Sequence, residues 1–223
     1  MSDSRSHYRV EVVCDSIYGP GSSRLTTIRV RMPRVVLAQL NTHGLLVRSA
    51  QSSRAVPTKK LISNAEMKRF VPWNVGKNKP GMQPGELLEA SELVAFQRRW
   101  NIAAGEAIAT AEYFHRAGVH KEIANRVLEP FMFVDVVITA TEWTNFLALR
   151  TAGDTQGEHA FLAKAIYLAL IGSTPKQVRE GEWHLPFIGP EDEEFARLMV
   201  QRNSYRAQYP TPNIKIEAMT WTL

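Results

Sequence analysis

The stretch Tyr8-Arg-Val-Glu-Val-Val-Cys14 alternates between residue types with a period of two, and Leu25-Thr-Thr-Ile-Arg-Val-Arg-Met32 resumes that alternation with several β-branched residues. Between them, residues 19–23 read Gly-Pro-Gly-Ser-Ser, which is typical of a turn. Alternation of this kind is the pattern of a strand with one buried face. The two stretches therefore predict a β-hairpin, which is the start of a sheet.

A third strand is predicted by the run Phe131-Met-Phe-Val-Asp-Val-Val-Ile138, which is short, apolar and β-branched enough to be buried. Asp135 interrupts this run. A carboxylate in a buried strand is either a paired structural group or a site residue that faces inward. We favour the paired structural interpretation.

The rest of the chain is dominated by helical spacing of apolar residues. Helices are expected from Pro33 to about Asn41 and over residues 59–70, 86–117, 120–129, 141–150, 156–171 and 190–203. The helix over 86–117 is the longest, and that over 141–150 opens with a threonine cap signal at Thr141. Residues 42–57 and 72–84 show no clean period and are predicted to be ordered loops.

The composition indicates a folded domain with a sizeable core. The chain has 223 residues, of which 44% are hydrophobic and 22% are charged. Neither a membrane span of roughly 18 apolar residues nor an N-terminal apolar signal region is recognisable, so a cytoplasmic protein is expected. The single cysteine, Cys14, lies in a predicted strand with no base nearby, and the scattered histidines do not have the spacing of a zinc site. No metal is therefore expected.

The charge balance points to an anionic ligand. Lysine and arginine number 27 against 22 aspartate and glutamate, which gives a net charge of +5. Such a surplus fits nucleic acid, and it fits equally well a pocket for phosphorylated small molecules. Nucleic acid is the less favoured partner because aromatic and basic residues do not interleave as they do on a strand-binding face.

The segment His43 to Arg54 has the residue types of a phosphate-binding loop. Arginine offers forked donors to phosphate oxygens, and Ser52 and Ser53 can add hydroxyl and backbone N–H donors. Two further arginines, Arg126 and Arg150, lie in otherwise apolar sequence and need partners. The simplest interpretation pairs them with nearby carboxylates, namely Glu122, Glu129, Asp135 or Glu142.

The run Gln39-Leu-Asn-Thr-His-Gly-Leu-Leu-Val-Arg-Ser-Ala-Gln-Ser-Ser-Arg54 resembles the signature of flavin-dependent thymidylate synthases, where Arg-His-Arg is followed by Ser, Asn, Ser and Arg at fixed spacing. The similarity is strongest to a viral-type (bacteriophage) branch, which reads Asn-Thr-His-Arg and then Ser-Ser-Arg-Ala. It continues through residues 76–83, 120–130 and 139–150 to Gln156 and Glu158. Residues 1–188 are thus predicted to form a synthase-like domain, and 189–223 a C-terminal helix and extended tail.

This resemblance implies a mixed α/β fold with a central mixed sheet flanked by helices. It further implies a homotetramer in which active sites form between subunits. The implied reaction is the reductive methylation of deoxyuridine monophosphate (dUMP) to thymidylate. Methylenetetrahydrofolate is the source of the carbon, and FAD reduced by NADPH supplies the hydride.

The resemblance also assigns roles to individual residues. The substrate contacts correspond to Gln39, Ser52, Ser53, Arg54, Arg126 and Arg150, with Arg150 also the catalytic residue that polarises the pyrimidine. The residues that face the flavin correspond to His43, Gly44, Arg48 and Asn145, and Thr139 and Thr141 occupy neighbouring positions.

The chain departs from the family pattern in several places. Gly44 stands where the second arginine of Arg-His-Arg is expected, Val47 and Ser49 replace serine and asparagine, and the His-x-Ser-Pro-Phe-Glu-His and Ala-Arg-Val-Ser-Tyr elements are missing. These departures predict weak flavin binding and leave two alternatives open. One is a nucleotide-binding homologue without flavin chemistry. The other is a related enzyme that modifies deoxycytidine monophosphate or transfers a hydroxymethyl group.

Overall fold

The computed structural model describes residues 3–19, 23–81, 83–188 and 192. Apart from residue 192, the helix and tail predicted for residues 189–223 lie outside the described residues. Within these ranges, no helix is both long enough and apolar enough to cross a membrane. In the same part of the chain, no group of three or more His, Cys, Asp or Glu side chains is arranged to hold a metal ion.

A five-stranded mixed sheet forms the centre of the fold, in the order β3-β4-β2-β1-β5. Neighbouring strands are antiparallel except for β1 and β5, which are parallel. The hairpin and the third strand predicted from the sequence are both confirmed. The strands are β1 (Arg9–Tyr18), β2 (Arg24–Pro33), β3 (Val47–Ala50), β4 (Phe133–Ala140) and β5 (Lys176–Val178).

Strand β3 corrects the prediction that residues 42–57 are all loop. It pairs antiparallel with β4, so that Val47 lies opposite Thr139 and Ala50 opposite Val136. The strand has four residues and lies at the edge of the sheet, where Val47 remains 73% exposed. So short an edge strand shows no period in its own sequence, because its conformation comes from pairing with β4.

In the part of the chain that the structure describes, six helices accompany the sheet, and most lie where helical spacing predicts them. Their bounds are α1 (Leu37–Leu40), α2 (Thr58–Met67), α3 (Ala90–Arg116), α4 (Lys121–Ala124), α5 (Thr144–Arg150) and α6 (Gly157–Ile171). Single-turn 3₁₀ segments cover Ser4–His7, Arg34–Val36 and Ser53–Ala55, and a longer one covers Arg126–Phe131.

Three helix starts or ends differ from the prediction for identifiable reasons. Helix α3 begins at Ala90, not at residue 86, because Glu89 and Glu92 form a capping box there. Helix α4 ends early and a 3₁₀ segment that contains Pro130 follows it. Helix α5 begins at Thr144 because the Glu142 carboxylate, not the Thr141 hydroxyl, accepts from the Thr144 backbone N–H at 2.5 Å.

The apolar interior has two parts. The larger part lies between one face of the sheet and helices α5 and α6, and includes Ile28, Val30, Met32, Val136, Ile138, Phe146, Leu162 and Ile166. The smaller part joins α2, α3 and the segment Arg126–Phe131 through Leu61, Ala65, Ile108, Ala111 and Leu128. The strand alternation thus places every second residue of β2 and β4 in the larger core.

Asp135 lies on the other face of the sheet, directly opposite Arg31 in the β2–β4 register. Opposite charges at facing positions of an antiparallel pair stabilise the sheet. No ion pair or side-chain hydrogen bond of Asp135 is found among the described residues, so the paired structural interpretation of the carboxylate stays a prediction.

A buried carboxylate joins the hairpin to the end of α6. Asp15 accepts hydrogen bonds from Arg24 Nε at 2.7 Å and from the Ser173 hydroxyl at 2.6 Å. Arg24 Nη2 also donates to the Leu170 carbonyl in the last turn of α6, at 2.9 Å. Burial by itself raises the pKa of Asp15, but these hydrogen bonds and the charge of Arg24 outweigh burial and lower that pKa below its usual value.

We expect Asp15→Ala to lower the free energy of unfolding by about 3 kcal/mol at neutral pH, because Arg24 would lose its partner in a largely buried site. Since the Asp15 pKa is lower in the folded than in the unfolded protein, the stabilisation is complete above a pH of about 4 and is lost as the pH falls through the folded pKa. Urea unfolding of both proteins over a pH series measures this. Asp3→Ala, which removes an exposed carboxylate paired with Arg5, is the control and should have a much smaller effect.

Candidate functional site

The turn between α1 and β3 carries the central residue of the candidate site, His43. Arg48, at the start of β3, holds this turn in place with most of its guanidinium donors. Its Nε donates to Asn41 Oδ1 at 2.8 Å, and its Nη1 donates to the His43 carbonyl at 2.7 Å and to the Leu46 carbonyl. Arg48 is a predicted flavin contact, and the structure shows it binding the backbone beside His43.

His43 is joined to Arg150, the last residue of α5. Arg150 Nε donates to His43 Nε2 at 2.8 Å, although the two residues are 107 positions apart in the chain. A guanidinium can only donate, so Nε2 carries the lone pair and the proton of the neutral ring is on Nδ1. Burial of the ring, followed by the positive charges of Arg150 and Arg48, lowers the pKa of His43 below its usual value. The ring is therefore neutral at physiological pH.

A pocket of about 170 Å³ opens beside this pair. It is lined by Thr42, His43, Gly44, Leu45, Leu46, Glu142, Asn145, Phe146, Leu149 and Arg150. The Phe146 ring packs edge-on against His43 with the ring centres 5.0 Å apart, which fixes the plane of the imidazole. Of the four residues predicted to face a flavin, three (His43, Gly44 and Asn145) line this pocket.

The predicted phosphate contacts form a second group around Glu129. The Ser53 hydroxyl donates to Glu129 Oε1 at 2.7 Å, and Arg126 Nη1 donates to the same oxygen at 2.9 Å. The Arg34 guanidinium is 3.1 Å from that oxygen as well. Arg126 is thus paired as the simplest sequence interpretation predicts. Arg150 is not, because its described partner is an imidazole and not a carboxylate.

Arg54 is the most accessible residue of the second group. Its side chain is 61% exposed and its guanidinium is 3.9 Å from Glu122. The Ser52 hydroxyl accepts from the Arg54 backbone N–H at 3.3 Å and caps the short turn that presents the arginine. Both arginines are accessible to an anion, since the Arg126 side chain is 51% exposed.

The two groups lie at opposite ends of β3 within the chain. Gln39, His43, Gly44, Arg48, Asn145 and Arg150 belong to the first, and Ser52, Ser53, Arg54 and Arg126 to the second. The four residues of β3 separate them by roughly 13 Å at the usual rise of a strand. Among the described residues, no hydrogen bond or ion pair that we identify joins the two groups, and their roles stay predictions.

Sequence reasoning missed a set of buried polar residues behind Gln39. Gln39 Oε1 is 3.1 Å from Nδ1 of His159, a fully buried histidine in α6. Gln39 Nε2 donates to Gln156 Oε1 at 2.5 Å, and Gln156 Nε2 donates to Glu158 Oε2 at 3.0 Å. The only sequence signal was that the family resemblance includes Gln156 and Glu158. Nothing in the sequence connects them to Gln39, 117 positions away.

The expectation that Cys14 has no base nearby is wrong. His184 Nδ1 lies 3.4 Å from Cys14 Sγ and 2.9 Å from the Ser16 hydroxyl, and its Nε2 lies 2.8 Å from the Thr27 hydroxyl. His184 is 170 positions from Cys14, so only the folded chain reveals the contact. No described contact links Cys14 to the arginines of either group.

The chain is similar to known proteins in sequence and in fold. A family model described as thymidylate synthase complementing protein matches residues 23–176. No curated protein is a significant match.

Several solved structures are similar to this chain. PolB of Streptomyces cacaoi, a UMP/dUMP methylase solved with 5-Br UMP, aligns with a TM-score of 0.58 and 18% identity over 74% of this chain and 89% of its own. The same protein with 5-Br dUMP gives a TM-score of 0.52 and 19% identity over 67% of this chain and 66% of its own. ThyX of Helicobacter pylori, solved with FAD and dUMP, gives a TM-score of 0.47 and 18% identity over 67% of this chain and 69% of its own.

The family match covers both groups of candidate site residues, the central strands of the sheet and all six helices. Because it extends over well more than half of the chain, this protein belongs to the thymidylate synthase complementing protein family, the flavin-dependent thymidylate synthases.

Proposed function

We propose that this protein is a flavin-dependent methyltransferase that converts dUMP to thymidylate by reductive methylation. The observation that carries the proposal is the Arg150–His43 pair at the mouth of a pocket, in a chain of this family. A guanidinium placed beside a neutral imidazole is free of a counter-charge. It can therefore turn to an electron-rich ligand without breaking an ion pair.

The residues around the pocket fit a flavin ring. His43 offers an Nδ1–H donor and Asn145 an amide, which match the carbonyl and ring-nitrogen atoms along one edge of a flavin. FAD, when bound, supplies the hydride, with NADPH as reductant and methylenetetrahydrofolate as carbon donor. Since about 170 Å³ holds only part of such a cofactor, we propose that another subunit of a homotetramer completes the site.

The second group fits the phosphate of the nucleotide. Arg54 is exposed and only weakly engaged by Glu122, so its guanidinium can bind a phosphate at little cost. Ser53 and Arg126 hold Glu129, which keeps the Arg54 turn in position. In the proposed tetramer, Arg54 of one subunit and Arg150 of another would bind opposite ends of the same dUMP.

The departure at Gly44 favours a second candidate function, a homologue that binds nucleotide without flavin chemistry. Gly44 is exposed and offers no side-chain donor to the pocket. The two functions are separated by incubating the purified protein with FAD, NADPH and methylenetetrahydrofolate and with dUMP, UMP or deoxycytidine monophosphate in turn. Thymidylate formed only from dUMP supports the synthase. Tight dUMP binding by a colourless, inactive protein supports the second candidate.

We expect Arg54→Ala to weaken dUMP binding by about 1.5–3 kcal/mol, the range for a hydrogen bond to a charged group. The fold should be unaffected, because the side chain is mostly exposed. Calorimetric titration measures the affinity. Arg116→Ala, which removes a similarly exposed arginine paired with Glu112 on α3, should leave the affinity unchanged. Equal affinity in Arg54→Ala and wild type would mean that the Ser52–Arg54 turn is only structural.

Arg150→Ala should affect turnover much more than nucleotide affinity. In the proposed reaction its charge would stabilise the negative charge that develops on the pyrimidine as carbon 5 becomes nucleophilic, and removal of such a donor costs about 10²–10³ in rate. Comparing kcat with the dissociation constant for dUMP separates the two effects. Parallel losses of equal size in both quantities would contradict a role in the transition state.

Gly44→Arg should tighten FAD binding about ten-fold, or by about 1.4 kcal/mol, because it restores a charge-assisted donor at the pocket. The structure accepts the larger side chain: a Cβ at Gly44 has nothing within 4 Å, and the residue does not have a positive φ. Flavin fluorescence quenching measures the affinity. Gly105→Arg, at an equally open position on α3, is the control and should change nothing. No gain at Gly44 would favour the homologue without flavin.

A further inference from the structure

Four side chains behind the candidate site form one directional chain of hydrogen bonds, which we name the Glu158 relay: Glu158, Gln156, Gln39 and His159. It begins at Glu158, which is buried although it is a carboxylate. One of its oxygens accepts from the Trp73 backbone N–H at 3.4 Å and the other from Gln156 at 3.0 Å. Close packing supports this arrangement, since a Cβ at Gly157 would overlap Asn74 Nδ2 at 2.0 Å.

The direction of every bond in the relay follows from its first member. Both Glu158 oxygens accept hydrogen bonds, so the Gln156 amide turns its NH2 toward Glu158 and its carbonyl toward Gln39. Gln39 must then donate its NH2 to Gln156 and turn its own carbonyl to His159. His159 therefore has its proton on Nδ1. Burial lowers the pKa of His159 to about 4, with the charge of Arg150 acting in the same direction, so the ring is neutral and has a single donor.

The two ends of the Gln39 amide lie in different surroundings. The carbonyl end contacts His159, which is fully buried, whereas the NH2 end contacts the exposed side chain of Gln156. The NH2 group uses one of its two protons in the relay. The other is available at the accessible end of the amide, where a ligand can reach it.

We infer that Glu158 is a positioning residue, which acts through Gln156 to hold the donor end of Gln39 toward the nucleotide. This inference rests on the proposed function. It specifies that Gln39 recognises an acceptor oxygen of the nucleotide, either on the phosphate or on the pyrimidine ring. Neither Glu158 nor Gln156 touches the nucleotide in this arrangement.

Glu158→Gln tests the inference because it keeps the shape and reverses the relay. In the variant, the Trp73 N–H still donates to the side-chain oxygen of the new glutamine. The NH2 of that glutamine therefore faces Gln156, and the amides of Gln156 and Gln39 must each turn over. Every hydrogen bond of the relay survives with opposite direction, and the His159 proton moves to Nε2, a buried nitrogen with no hydrogen-bond partner among the described residues. The variant should still fold, with a modestly lower melting temperature, because this one buried N–H is left unsatisfied. Glu106→Gln, at an exposed position of α3, controls for the loss of charge.

The first readout needs no ligand. Two-bond ¹H–¹⁵N correlation spectra of the protein labelled at histidine report which ring nitrogen carries the proton. We expect Nδ1 for His159 in the wild type and Nε2 in Glu158→Gln. A wild-type proton on Nε2, or an unchanged tautomer in the variant, would overturn the relay.

The second readout is affinity for dUMP and for deoxyuridine, which lacks the phosphate. Glu158→Gln should weaken dUMP binding roughly ten-fold, the effect of losing one hydrogen bond to a charged group. A loss confined to dUMP identifies a phosphate oxygen as the acceptor, and a loss for both ligands identifies a ring carbonyl. Unchanged affinity for both would overturn the inference. Failure of the wild type to bind dUMP would instead overturn the proposed function, while the histidine spectra still decide the relay.

Two substitutions that compensate for each other separate the effect on the orientation of Gln39 from the effect on stability. Gln39→Glu alone places a second carboxylate against Gln156. The Gln156 NH2 group can face only one of the two carboxylates, so its carbonyl oxygen would face the other and the melting temperature should fall. In the double variant Gln39→Glu/Glu158→Gln, the new amide at position 158 donates to Gln156, and Gln156 and His159 both donate to the new carboxylate at position 39. We expect the double variant to regain the melting temperature without regaining dUMP affinity. Recovery of both would contradict a donor role for Gln39.

Discussion

The antiparallel pairing of β2 with β4 is the constraint on which the rest of the fold depends. Its register runs from Thr26 opposite Ala140 to Pro33 opposite Phe133, and its inward side chains, such as Ile28 and Ile138, are fully buried. A slip by one residue would turn every core side chain of β4 to the opposite face. Strand β3 pairs with the other edge of β4, and α5 follows the end of β4 after three residues. The positions of His43 and Arg150 therefore both derive from that single register.

The electrostatics of the site result from the same packing. His43 is neutral because its ring is buried against Phe146 and faces two guanidiniums, not because of any property of the turn sequence. Arg48 binds backbone carbonyls, which leaves its charge uncancelled beside the ring. The result is a pocket with a neutral imidazole in its wall, in which Arg150 and Glu142 are the charged lining residues. The guanidinium of Arg150 can therefore meet an electron-rich part of a ligand on the side of the pocket where His43 lies.

The sequence predicted the parts of the fold that have their own period. The hairpin, β4, α3 and α6 all show that period locally, and the structure confirms them. Strand β3 could not be predicted because its four residues acquire their conformation from β4. The same holds for the site. The sequence identified the arginines and serines as candidate residues, but it did not identify the residues that they contact. The contact of Arg150 with His43 and that of Gln39 with His159 join residues more than a hundred positions apart, and only tertiary packing produces them.

The separation of the two groups of site residues is explained by the proposed assembly. Arg54 and Arg150 belong to groups that β3 separates within one chain, and in the proposed assembly each would bind the nucleotide from a different subunit. Helix α6 carries His159 on its buried face, whereas Leu168 and Ile171 on the same helix are more than 60% exposed. These exposed apolar side chains fit the subunit contact of the proposed tetramer. They lie at the C-terminal end of α6, about 14 Å along the helix from the relay residues at its N-terminal end, so such a contact would bury a part of the helix that the relay does not use.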